Sequence, residues 1–153
     1  MSQTIEAYLY QPGESELRWM GETSTYFLAT GALTGGAFAL VDERAVQGEA
    51  VPLHKHDSDV ESFYVLEGEV SFYLGNEPGV RASAGAFVHI PGGTIHGFRI
   101  ESEVARYLIL TTPHHAEFYK AISLPSPQAM IDESVIGQAC QQYGIEFVGP
   151  LPV

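Results

Sequence analysis

Cysteine is nearly missing: Cys140 is the only one in 153 residues, which excludes an intrachain disulfide framework and fits a reducing compartment. It falls in an expected C-terminal helix without a basic neighbour in sequence, the setting of a buried structural thiol. Basic residues are also scarce. Seven Lys and Arg stand against 19 Asp and Glu, and the formal net charge of −12 repels phosphate backbones and anionic lipid surfaces alike. Neither nucleic acid nor membrane is expected as a partner. No apolar run approaches the roughly 18 residues of a membrane span, and the opening MSQTIEAYLYQPGESEL has no basic region leading into an apolar one. A soluble, cytoplasmic protein is expected.

What is abundant is punctuation. Sixteen glycines and nine prolines accompany 45% hydrophobic and only 17% charged residues, a balance that favours turn-rich β structure. Short β-branched and aromatic runs follow one another at Thr25 to Thr30, Gly36 to Asp42, Glu61 to Leu66, Val70 to Leu74, Gly85 to Ile90, His96 to Ile100 and Val104 to Thr112. Even spacing without intervening helices predicts an antiparallel sandwich or barrel. After Pro113 the pattern changes. Glu117 to Ile122 and Asp132 to Tyr143 suit two short helices, the second ending at Gly144. These are expected outside the barrel or as a lid, and the tail to Pro150 is expected to dock without forming a further regular element. One domain over residues 1–153 follows, all-β, with a barrel over about 25–112 and a helical appendage over about 114–153.

Chemistry concentrates in four residues. His54 and His56 are two apart, so on a strand both imidazoles point to one face while Lys55 points away. Glu61 shares a strand face with Phe63 and Val65, and a carboxylate among such neighbours is expensive unless a cation compensates it. His96 follows the turn formers Pro91, Gly92 and Gly93, with Phe98 on its own face. Together His54, His56, Glu61 and His96 are candidate ligands of one divalent transition metal (Fe, Mn, Ni, Co, Zn or Cu), and Phe63 and Phe98 are candidate walls of a substrate pocket. A lone histidine is ordinarily a surface or core residue; His114 and His115 are read so, in a solvated loop or helix start. The bend Asp57-Ser58-Asp59 is read as a solvated turn, too poor in ligands for calcium. Tyr26, Phe38, Phe72 and Phe87 are read as core.

These residues resemble the two signature motifs of the cupin superfamily. Gly48, five residues, His54, one, His56, four, Glu61, six, and Gly68 are similar to the first; Gly85, five, Pro91, one, Gly93, two, and His96 are similar to the second. Ile100 departs from the pattern, which usually has Asn there. The segment from Gly21 to Phe38 and the closing Tyr143-Gly144-Ile145-Glu146-Phe147 further resemble single-domain, quercetin 2,3-dioxygenase-like cupins. The resemblance implies a double-stranded β-helix, a jelly-roll-like barrel with short C-terminal helices, and a metal held by three His and one Glu. A dioxygenase acting on a small chelating enol, phenol or flavonol-like substrate is the activity it suggests, with Glu61 as catalytic base. A metal-dependent isomerase or lyase, or a non-catalytic small-molecule-binding cupin, are the alternatives. Homodimers are expected through the outer sheet face, with Tyr64, Leu66 and the N-terminal segment.

Overall fold

The structure, a computed structural model, describes residues 4–127 and 131–152. The apolar runs become strands in the order β1 (Glu16–Met20), β2 (Thr23–Ala29), then α1 (Gly31–Thr34), β3 (Ala39–Val46), β4 (Ala50–His56), β5 (Glu61–Glu67), β6 (Glu69–Leu74), β7 (Val80–Ser83), β8 (Phe87–Ile90), β9 (His96–Ile100) and β10 (Val104–Thr111). Two helices, α2 (Pro113–Ala121) and α3 (Glu133–Tyr143), precede a last strand, β11 (Ile145–Gly149). One sheet has the order β1-β2-β3-β10-β5-β8 and the other β11-β4-β9-β6-β7, with every pair antiparallel. From β3 to β10 the chain repeatedly crosses between the two sheets, which makes a double-stranded β-helix instead of two separate meanders. Among the described residues, no helix is long and apolar enough to cross a membrane.

Period-two burial places the core between the sheets. Along β10, Ala105, Tyr107, Ile109 and Thr111 are buried and alternate with more exposed neighbours. The ring of Phe63 lies 5.1 Å from Phe72, 5.4 Å from Phe98 and 5.9 Å from Tyr107, and its contacts with the first two are edge-on. Such aromatic geometry adds about 0.5–1.5 kcal/mol per pair beyond area burial. The tight β5–β6 connection turns at Gly68, with φ of 79°, where a Cβ would stand 2.2 Å from the Val104 carbonyl oxygen. Only glycine meets both conditions.

Several expectations require correction. Phe38 and Phe87 are exposed, at 42% and 64%, because they lie outside the packed inner faces; Phe87 begins the edge strand β8. The tail forms a strand: β11 pairs with the open edge of β4, and Pro152 does not prevent this because pairing ends at Gly149. Helix α3 behaves as expected, with the Asp132 side chain accepting from the Ser134 amide and Gly144 closing it at a φ of 72°.

Candidate metal centre

The two sheets bring the four candidate ligands together from opposite sides. His54 and His56 lie on β4 and His96 on β9, all in the five-stranded sheet, while Glu61 opens β5 in the other. His54 and His96 are direct cross-strand partners with ring centroids 4.2 Å apart. One donor atom from each of the four lies within 4.8 Å of the others, and all four residues are buried. The turn before His96 is held by contact. A Cβ on Gly92 would meet the Ser58 backbone at 2.7 Å, and the Gly93 amide donates to the His56 carbonyl at 2.7 Å, with φ at 85°. Packing this turn on the β4–β5 connection therefore aims His96 at the other ligands.

Hydrogen bonds settle which nitrogen His54 and His96 offer. Nδ1 of His54 lies 2.8 Å from the Pro52 carbonyl and Nδ1 of His96 lies 2.9 Å from that of Thr94. A carbonyl only accepts, so Nδ1 carries the hydrogen and a neutral ring presents a lone pair at Nε2. That is the backbone anchoring typical of metal-binding histidines. Nε2 of His96 then faces Glu61 Oε2 at 2.9 Å, and Nε2 of His56 lies 3.5 Å from the same oxygen. The His56 Nε2 is buried without a hydrogen-bond partner. Burial pushes the pKa of His54 and His56 down to about 4, which keeps both neutral at pH 7. Lone pairs directed at a carboxylate repel, and a cation among them turns repulsion into ligation. The donor set therefore fits a divalent transition ion, in the mixed imidazole and carboxylate chemistry that several first-row metals accept.

The opposite oxygen of Glu61 belongs to α2. His115 Nε2 donates to Oε1 at 3.1 Å, and the Tyr119 hydroxyl donates to the same atom. Burial and the charge of Glu61 hold the Tyr119 pKa well above its ordinary value, so it remains a donor. Burial pushes Glu61 upward, but its contacts with His115 outweigh this and hold it well below the usual carboxylate range. The helix itself is pinned at its start. Pro113 is at the first turn, the Thr112 hydroxyl accepts from the His115 amide at 3.0 Å, and Asp59 receives Thr112 at 2.7 Å and His114 at 2.8 Å. Asp59 is thus a buried anchor, whereas the bend was expected to be solvated throughout. His115 is also a correction: it is 2% exposed and inside, while His114 has the exposed helix-start position expected of both. The spacing of four between His115 and Tyr119 was the available signal, since it places both on one helix face.

A cavity of about 240 Å³ opens on this cluster, bounded by His54, His56 and Glu61 and by apolar side chains including Val51, Phe98, Ile109 and Phe118. Phe98 borders this cavity. Phe63 does not: it is 1% exposed and packs in the aromatic core beneath, because its position on β5 is enclosed by Phe72, Phe98 and Tyr107. The same cavity is lined by Glu43 of β3, which the sequence reading passed over. Alternation with Ala39, Val41 and Ala45, all buried, marks Glu43 as inward-facing. His89 lies outside, bonded to the Ser62 hydroxyl at 2.8 Å.

The profile of the Cupin domain family matches residues 42–111, a segment containing all four clustered residues. Quercetin 2,3-dioxygenase from Bacillus subtilis (strain 168) is 25% identical over 119 residues, which cover 77% of this chain and 35% of that protein. The matched region thus spans about a third of that relative's length, at 35%. Among solved structures, KdgF from Halomonas sp. has a TM-score of 0.63 at 18% identity, covering 71% of this chain and 94% of that one. The polyketide cyclase RemF from Streptomyces resistomycificus has a TM-score of 0.61 at 23% identity, covering 71% and 80%. Likeness at these identities is a likeness of fold.

Proposed function

The chain belongs to the cupin superfamily, and from that membership we propose that His54, His56, Glu61 and His96 bind one divalent transition metal and that the holoprotein is an oxygenase of small chelating enols or phenols. Three imidazoles and one carboxylate oxygen converging on the wall of an apolar cavity carry this reading. The relation to a quercetin dioxygenase supports the choice of oxygen chemistry. A cavity of about 240 Å³, below the roughly 300–1,000 Å³ of sites for drug-sized ligands, favours a substrate smaller than a flavonol.

When bound, the ion supplies a Lewis acid that acidifies a chelating hydroxyl and, if redox-active, electron exchange with O₂. Glu61 would hold the ion through Oε2, the oxygen facing the imidazoles, and on leaving it would accept the substrate hydroxyl proton there, while His115 and Tyr119 keep Oε1 in place. Phe98, Ile109 and Phe118 keep water from the reacting groups. The test is oxygen uptake by protein loaded in turn with Fe, Mn, Co and Ni and offered acetylacetone, catechol and quercetin. Uptake with the small chelators, lost together with metal content in His96→Ala and Glu61→Ala, is the expected result. No uptake with any of the four metals rejects the oxygenase, and metal content unchanged in both variants rejects the ligand set. A second buried carboxyl, Glu43, in the same cavity favours as an alternative an isomerase or lyase that moves a proton without O₂. Turnover under nitrogen identifies it.

A further inference from the structure

Glu43 has no task in the oxygenase reading, yet its position is costly to maintain. It lies within β3, in the sheet opposite the three clustered histidines, with 3% of its surface exposed. Among the described residues its hydrogen-bond partners are two hydroxyls, Tyr107 at 3.0 Å on Oε2 and Thr25 at 3.3 Å on Oε1. Neither is a cation, and a buried carboxyl without one tends to keep its proton. Burial accordingly raises its pKa to about 7.

Protonated, the trio of Glu43, Tyr107 and Thr25 carries three O–H hydrogens but has only two contacts among its members. One O–H is left to donate elsewhere. The carboxyl opens on the cavity that it lines together with His54, His56 and Glu61, and on a smaller hollow bounded by Thr23 and Glu49. Apart from these groups and His115 and Tyr119, the wall is apolar, so the spare hydrogen has a ligand atom as its natural acceptor.

We propose that Glu43 is a specificity-determining residue that donates a hydrogen bond to an oxygen of the substrate, opposite the metal-binding head. The substrate class is then a one-ring or short-chain molecule with a chelating enol or phenol at one end, an apolar middle and a hydroxyl or carbonyl oxygen at the other. The chelating head rests on the metal reading above; the polar far end rests on Glu43 alone. A purely structural Glu43 would satisfy Tyr107 and Thr25 without affecting which ligand binds.

The two are separated by a matched pair of catechols, 4-propylcatechol and 4-(2-hydroxyethyl)catechol, which differ by a methyl against a hydroxyl at the chain end. Binding to cobalt-loaded protein is followed under nitrogen by the visible Co(II) spectrum. Affinities are divided by those of the same catechols for Co(II) in solution. Wild type is expected to favour the hydroxyl ligand about tenfold, the worth of one well-placed hydrogen bond. Glu43→Leu is expected to lose that preference with its metal content unchanged, and Glu43→Gln, which keeps an N–H donor, to retain it. The wild-type ratio alone carries the test should the Leu variant not fold. Equal affinities in wild type, or the same preference in wild type and Glu43→Leu, overturn the role of Glu43 and leave the metal reading standing. If neither catechol perturbs the cobalt spectrum, the metal reading falls and this proposal with it.

Discussion

Replacing Glu43 by Gln removes a carboxyl whose proton the fold retains, and the size of the effect follows from the shift. The ordinary value is 4.5 and the folded value about 7. A raised carboxyl pKa means that the folded chain holds a proton that the unfolded chain has already released between those two values. Its contribution to stability is fully present below pH 4.5 and is lost as the pH rises through 7. Each unit is about 1.4 kcal/mol, so the shift limits the loss to about 3 kcal/mol, of which about 2 to 3 kcal/mol falls between pH 5 and 8. Gln does not titrate and still accepts from Tyr107. The stability of Glu43→Gln relative to wild type should therefore rise by about 2 to 3 kcal/mol over that range, other titrations such as those of His54 and His56 being common to both proteins. Urea unfolding of the metal-free proteins at pH 5, 6, 7 and 8, with m-values compared, measures it. A stability difference that stays flat with pH refutes the reasoning that burial keeps Glu43 protonated.

Two further predictions concern the candidate metal centre. His115→Phe removes a donor to Glu61 Oε1 and should weaken metal binding by about 10- to 100-fold, as loss of outer-shell partners does elsewhere; competition against a chromophoric chelator measures it, and unchanged affinity means that α2 only covers the barrel. His54 and His56 have pKa values near 4 in the fold against 6.5 ordinarily, so the unfolded chain takes up protons first as the pH falls through that window and stability declines with it. Substituting both by Phe should reduce the decline in the metal-free protein by about 1.4 kcal/mol per pH unit for each histidine, read by denaturation at pH 4.5, 5.5 and 6.5; an unchanged slope would show that they are not held neutral by burial.

Much of the candidate site was legible in the chain because strand geometry is periodic. A spacing of two sets His54 beside His56 and turns Lys55 outward, where it pairs with Glu146 at 3.6 Å. Spacing through Gly85, Pro91 and Gly93 identified His96, and the fold class followed from the turn-rich strand pattern together with the two motifs. Glu43 was equally legible by alternation with Val41 and Ala45, and was missed because the run was closed at Asp42. What periodicity determines is the face a side chain takes, and it is silent on depth and on what arrives from elsewhere. Phe63 and Phe98 both face inward, yet only tertiary packing decides that one is enclosed by three aromatic rings while the other borders a cavity. His115 and Tyr119 reach Glu61 across more than fifty residues of sequence, so their role depended on the docking of α2, held by Asp59 at its start. The open edge of β4 likewise gave the tail its partner strand. Sequence by itself determined which residues could be ligands; the closing of two sheets and one helix around Glu61 decided which oxygen faces the imidazoles and which is held back.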